Sequence, residues 1–349
     1  MRNLVLSNAS FRYLEKSFEE WLDVQGYAPS TVYRLPPHVR ELLYHLEKEG
    51  IQNIQELNIK HIEIYYQKLK ERTNQRKGGG LSNGHLNKHI QALRRFTEYL
   101  RKVGRLEIPE LQIRDEETES KIIYLTVDEI NLLFKSTYQI PEKKPNTSEA
   151  VLEAIQSRDR AMLAVFYGCG LRRNEGVNLD VGDINFDRSI LHVRKGKNYK
   201  ERLVPISKTN LKYLTEYVYD HRPELTVGRN TSRGATEALF IAYTTTKRMQ
   251  GQSLFVRLRN MQYQTGDLDL LEKEIGLHTL RHSIATHFLQ AGMKLESISR
   301  FLGHGSLEST QIYTHLAGVN QEREQPFNNL SNYDPIKLAE DETFHTGEL

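Results

Sequence analysis

His278-Thr-Leu-Arg281, then Leu302-Gly-His304, then Tyr313, bring two histidines, an arginine and a phenol together at tight spacing. The set suits chemistry on a phosphodiester without a metal. Negative charge concentrates on the non-bridging phosphate oxygens as a nucleophile adds, and a guanidinium that forks onto them stabilises the transition state. Arg281 can supply one such fork. Leu277, Leu280, Ile284 and Phe288 have a helical period, so His278 and Arg281, at i and i+3, share one face beside a buried stripe.

Tyr313 is the candidate nucleophile. A free phenol has a pKa near ~10, so ionising it at neutral pH costs roughly 4 kcal/mol, which a nearby base or cationic cluster has to supply. The spacing predicts a helix over Glu296 to Leu302, ended by Gly303-His304-Gly305, with Ser306 capping the next helix. That turn would swing Tyr313 back toward Arg281.

Read at greater length, His278-Thr-Leu-Arg281-His-Ser-Ile-Ala-Thr-His, Phe301-Leu-Gly-His304 and Ser309-Thr-Gln-Ile-Tyr313-Thr-His resemble the second signature box of the tyrosine recombinase (phage integrase) family. Within it the Xer-type recombinases are most similar. The first box is also present, from Arg158-Asp-Arg-Ala-Met-Leu-Ala-Val-Phe-Tyr-Gly-Cys-Gly-Leu-Arg172-Arg-Asn-Glu175 to Leu179 and Gly182-Asp183-Ile184, and the likeness spans about residues 8 to 320. The resemblance implies that Arg172 and Arg281 bind the phosphate, that Glu175 supports the site, and that His304 donates a hydrogen bond to the phosphate. It also implies His278 as base or proton relay and Tyr313 as nucleophile. Arg173 adjoins Arg172, but on a helix its side chain points about 100° away, so Arg172 is preferred.

The same resemblance calls for a lysine on a β-hairpin. Ile190 to Ile206 reads as two apolar strands around a basic turn, and Gly196-Lys197-Asn198-Tyr199-Lys200-Glu201-Arg202 fits the family's spacing. Asn198 stands where a second glycine is expected, and asparagine tolerates a left-handed turn. Lys197 is the best match for the lysine that protonates the departing 5′ oxygen, with Lys195 and Lys200 as alternatives.

Composition fits a globular protein of two domains: 349 residues, 38% hydrophobic, with a single cysteine, Cys169. One cysteine excludes a disulfide framework and a cysteine-rich zinc site. No Asp and His cluster of the kind used by metal-dependent nucleases is evident, so neither metal nor cofactor is expected. The amino terminus lacks a signal peptide's basic start and apolar stretch, and no 18-residue apolar run occurs, so a soluble cytoplasmic protein is expected. Net charge is only +3, yet residues 60–105 hold 12 Lys or Arg against 3 Asp or Glu, while 106–119 hold 1 against 6 and 321–349 hold 2 against 7. A basic face on the first domain suits phosphate contacts that position the protein on DNA.

That domain, residues 8–104, is expected to be helical, with segments Asn8 to Asp23, Ser30 to Glu49, Ile59 to Arg76 and Ser82 to Val103. The resemblance implies a core-binding (SAM-like) DNA-binding domain. Lys88, Arg94, Arg95, Arg101 and Lys102 on its last helix are the candidate DNA contacts. Residues 105–120 read as a linker and 121–320 as the catalytic domain, with Tyr138 to Ser148 a surface loop. Residues 321–349 form an acidic tail that would dock on a neighbouring subunit.

The expected fold is thus mainly α with a small antiparallel β-sheet, arranged as a two-domain DNA clamp. The activity implied is site-specific strand cleavage and rejoining through a 3′-phosphotyrosine link, serving integration, excision or chromosome-dimer resolution. The substrate would be double-stranded DNA with specific core sites, held by a homo- or hetero-tetramer without membrane association. A type IB topoisomerase-like relaxing enzyme, and a sequence-specific DNA-binding protein with a vestigial site, are the alternatives.

Overall fold

The computed structural model describes residues 4–74, 78–117, 122–139, 147–194, 201–226, 236–304, 310 and 313. The chain divides into two compact units, Met1–Ser120 and Lys121–Leu349.

The first unit is built of α1 (Ala9–Val24), α2 (Pro29–Arg34), α3 (Pro36–Lys48), α4 (Ile59–Glu71) and α5 (Asn83–Lys102). Asn8 caps α1 by accepting from the Ser10 and Phe11 N–H groups, and Ser82 caps α5 by accepting from His85. Phe11, Leu14, Phe18 and Leu22 put one stripe of α1 into a core shared with Val39, Leu42, Leu43 and Leu46 of α3 and Leu93, Phe96 and Leu100 of α5. Phe18 meets Phe96 edge to face at 5.5 Å and is fully buried; such a side chain contributes about 1.5–3 kcal/mol on leaving water.

Two expected helices differ from the reading. Ser30 to Glu49 is two helices, broken at Leu35, because Pro36 and Pro37 offer no N–H to carry the ladder of α2 onward and instead start α3. The helix expected to reach Arg76 ends at Glu71: Arg72 is extended, with ψ 130°, and its guanidinium pairs with Glu41. Residues 106–113 pack on this unit, with Ile108 and Leu111 buried, and Arg101 donates to the Ile108 carbonyl at 3.0 Å.

The second unit comprises α6 (Val127–Ser136), α7 (Glu149–Leu163), α8 (Arg173–Val177), β1 (Ile184–Asn185), β2 (Ile190–Val193), β3 (Arg202–Pro205), α9 (Lys208–Thr215), α10 (Gly251–Gln264), α11 (Leu268–Glu272), α12 (Leu277–Gln290) and α13 (Leu295–Leu302). The sheet is antiparallel in the order β1-β2-β3, with Val193 opposite Arg202 and Leu191 opposite Val204. Its core centres on α7 and the wider π-helical turn Ala164–Gly168, which packs on α12. Tyr167 and His287, both buried there, share a hydrogen bond of 2.9 Å.

Candidate active site

Three arginines and one carboxylate, all in the second unit, organise the site. Arg172 is the N-cap of α8, and Glu175, at the third position of that helix, accepts its backbone N–H at 2.9 Å. The same carboxylate accepts from Arg172 Nη1 at 3.0 Å and from Arg202 Nη1 and Nη2 at 3.0 and 2.9 Å, with Arg281 Nη1 4.0 Å away. Burial alone would raise the Glu175 carboxyl, but hydrogen bonding and charge from Arg202 and Arg172 outweigh it and hold it below the usual range.

The three guanidiniums also converge on the carboxyl end of α13. Arg202 Nε donates to the Phe301 carbonyl at 3.0 Å, Arg281 Nη2 to Leu302 at 2.8 Å, and Arg172 to Leu302 and Gly303 at 3.3 and 2.9 Å. These are carbonyls that a helix leaves without internal partners, at its partially negative end. Cationic forks there satisfy the acceptors and offset the charge.

Two glycines make this approach possible. Gly303 ends α13 in the left-handed region at φ +65°, and a Cβ on it would lie 2.9 Å from Arg202 Cδ and Nη1. Gly170, at φ +61°, lies against Phe301 and Leu302, where a Cβ would come within 2.9 Å of both. Its carbonyl accepts from Arg281 Nη1 at 2.7 Å. Cys169 beside it is fully buried, and burial pushes its thiol up to about 12, so it is inert at neutral pH.

Arg281 is buried, and desolvation followed by repulsion from Arg172 lowers its pKa to about 9. Tyr313 is 1% exposed, and its hydroxyl lies 2.9 Å from His282 Nδ1. Burial raises the phenol, whereas the charges of Arg281 and Arg172 pull it down. The His304 ring stacks near Tyr313 at 6.3 Å, and its Nδ1 is 2.7 Å from Thr310 Oγ1. Burial, then the charges of Arg281 and Arg172, lowers His304 to about 4. His278 stands on the open side of α12; partial desolvation and the charges of Arg281, Arg173 and Arg172 lower it too.

Arg172, Glu175, Arg281, His304 and Tyr313 therefore come together, with His278 at the rim, while Arg173 is exposed. Lys197 and its alternatives Lys195 and Lys200 lie outside the described residues, as do Ser306 and the tail 321–349. Sequence reasoning missed two members. Arg202 was in view as the last residue of the hairpin motif, and an arginine opening an apolar strand was the available signal. His282 adjoins Arg281, and nothing in the sequence distinguished it from His278 as the neighbour of the phenol.

The candidate DNA contacts Lys88, Arg94, Arg95, Arg101 and Lys102 line a groove of about 820 Å³ along α5, together with Glu98 of the same helix and Glu110 and Asp115. Several are held by neighbours. Arg94 pairs with Asp115 at 3.0 Å, Arg95 and Lys102 both pair with Glu98, and Arg95 and Lys102 also lie over the Tyr27 and Trp21 rings.

The phage integrase family model matches residues 120–318, which hold every member of this cluster. The chain belongs to the phage integrase family. Among curated members, it is 40% identical over 165 residues to tyrosine recombinase XerD of Pseudomonas putida, covering 47% of this chain and 52% of that protein. To tyrosine recombinase XerD of Staphylococcus epidermidis it is 33% identical over 241 residues, covering 68% of this chain and 74% of its relative. The fold is similar to that of XerH site-specific recombinase bound to a palindromic difH substrate, with TM-score 0.64, 19% identity, and coverage of 88% of this chain and 81% of that one.

Proposed function

We propose that this chain is a site-specific DNA recombinase of the tyrosine type, acting in the cytoplasm on double-stranded core sites. The observation that carries the reading is the convergence of Arg172 and Arg281 beside Tyr313, on a buried carboxylate that fixes the forks before substrate arrives. Electrostatic stabilisation is strongest when its donors need not reorganise.

In the first step Tyr313 Oη attacks the scissile phosphorus, a P–O bond to tyrosine forms, and the bond to the 5′ oxygen breaks. The phenolic proton passes to a histidine. The Tyr313 hydroxyl shares a hydrogen bond of 2.9 Å with His282 Nδ1, and His278 at the rim is the base or proton relay to solvent. Arg172 and Arg281 hold the non-bridging oxygens, with His304 as a further donor. Arg281 gives one N–H from each terminal nitrogen to the Gly170 and Leu302 carbonyls, so three of its five donors are not used in these two bonds. Lys197 protonates the departing 5′ oxygen. In the second step the 5′ hydroxyl of a partner strand attacks the 3′-phosphotyrosine and expels tyrosine, so phosphodiester energy is conserved.

Lys88, Arg94, Arg95, Arg101 and Lys102 contact the DNA backbone from the first unit, and residues 321–349 dock on a neighbouring copy in a tetramer. Among the described residues no helix is long and apolar enough to cross a membrane.

The test is a nicked suicide substrate made from the DNA that flanks the protein's own coding region, incubated in chelator and resolved on a denaturing gel. A covalent adduct with wild type and none with Tyr313→Phe is expected. Tight binding of that DNA by wild type with no adduct would remove the mechanism.

A further inference from the structure

Three histidines in the first unit converge on one another, and none belongs to the arginine, histidine and tyrosine cluster of the second unit. α3 carries His38 and, one turn on, Glu41; α5 carries His85-Leu-Asn-Lys-His89, two histidines on one face at i and i+4. His89 Nε2 lies 3.1 Å from His38 Nδ1 and 3.3 Å from His85 Nε2, and one ring nitrogen from each of the three falls within 4.8 Å of the others.

Hydrogen bonding alone accounts poorly for this. Each ring nitrogen of a neutral imidazole has one in-plane position, either an N–H or a lone pair. His89 Nε2 faces two nitrogens with that single position. Glu41 Oε2 compounds the difficulty: it is buried, has no hydrogen-bond partner among the described residues, and lies 4.0 Å from His89 Nε2. A buried carboxylate oxygen without a partner is expensive.

We propose that His38, His85 and His89, with Glu41 as fourth donor, form a structural site for a divalent transition-metal ion of the zinc type. Four donors at about 2.0–2.1 Å around a tetrahedral ion stand roughly 3.3–3.4 Å apart, close to the two separations His89 Nε2 makes. A cation gives each convergent lone pair a shared acceptor and gives Glu41 Oε2 a partner. The Tyr65 hydroxyl, 3.3 Å from His89 Nδ1, accepts that N–H and leaves Nε2 as the metal-facing lone pair. Arg72 holds the other Glu41 oxygen. His85 is partly exposed and gives the ion a way in. The ion would tie α3 to α5, the helix that carries Lys88 and Arg94, and takes no part in strand cleavage.

The experiment uses the full chain purified without a polyhistidine tag, dialysed against chelator, and titrated with Zn²⁺ alone, with Co²⁺ as optical probe. One equivalent of Zn²⁺ per chain, a tetrahedral Co²⁺ ligand-field band and a raised Tm are expected. In His85→Gln, chosen because that side chain is partly exposed, affinity should fall at least about a hundredfold, and Zn²⁺ should no longer raise Tm. Chelator-treated His85→Gln should melt with chelator-treated wild type, showing that the fold survives. Absence of stoichiometric Zn²⁺ or of the Co²⁺ band in wild type would overturn the proposal, as would unchanged affinity in His85→Gln, which places the ion elsewhere.

Discussion

Glu175→Gln isolates the element on which the site rests. The carboxylate, 2% exposed, accepts four hydrogen bonds, from the Arg172 backbone, Arg172 Nη1, and Arg202 Nη1 and Nη2. Glutamine keeps the shape but has one acceptor oxygen, and its amide hydrogens would face guanidinium donors. Two of the four bonds are lost, each worth about 1.5–3 kcal/mol when a partner is charged. Removing one side of a buried ion pair costs about 3–5 kcal/mol by a separate route. A destabilisation of about 3–5 kcal/mol at pH 7 is therefore expected. At about 2–4 °C per kcal/mol for a unit of this size, Tm falls by about 6–20 °C. The effect has a pH signature. The folded-state pKa of Glu175 is depressed, so its contribution is complete above the unfolded value near ~4.3 and is lost as pH falls through the folded value. Urea melts of wild type and variant at several pH values should converge in acid. A variant within about 1 kcal/mol of wild type at pH 7, or a gap that does not change with pH, would refute the reasoning.

Gly303→Ala places a side chain at φ +65° against Arg202, and should cost about 1–2 kcal/mol in denaturant melts and reduce adduct formation; wild-type stability would show that the turn tolerates a Cβ. Lys197→Ala should cut cleavage about 10²–10⁴-fold on ordinary DNA and recover on a substrate with a 5′-bridging sulfur, whose leaving group needs no proton. The same behaviour in Lys195→Ala or Lys200→Ala instead would reassign the general acid. His282, His287 and His304 are lowered to about 4, burial being the first cause, so each resists protonation in the folded state. Stability should fall as pH drops from about 6.5 toward about 4, and His287→Gln should flatten that slope; a wild-type curve with no slope there would contradict it.

Local signals in the sequence were sufficient for much of the fold. Asn8 and Ser82 mark helix starts because short polar side chains accept N–H bonds that the first turn leaves open. The strands of the hairpin followed from their apolar residues. The break at Leu35 was written in Pro36-Pro37 and outweighed by the apolar period on either side. The end of α4 at Glu71 depends on the pairing of Arg72 with Glu41, 31 positions earlier, which no local pattern carries. The site divides in the same way. Arg172, Arg281 and Tyr313 were legible as motifs, whereas Arg202 becomes a site residue only because β3 lies beside Glu175, 27 positions away. His38 and His85, 47 positions apart, form a cluster only once α3 and α5 pack.

The meeting of three arginines on the carbonyls that close α13 bears on when the protein becomes active during its own synthesis. Arg172, Arg202 and Arg281 come from α8, β3 and α12, yet all three find acceptors on residues 301–303. A nascent chain that has emerged only through α12 carries its cationic forks without the helix end that aligns them. Alignment of the forks is thereby tied to the emergence of residues 301–303, late in the chain.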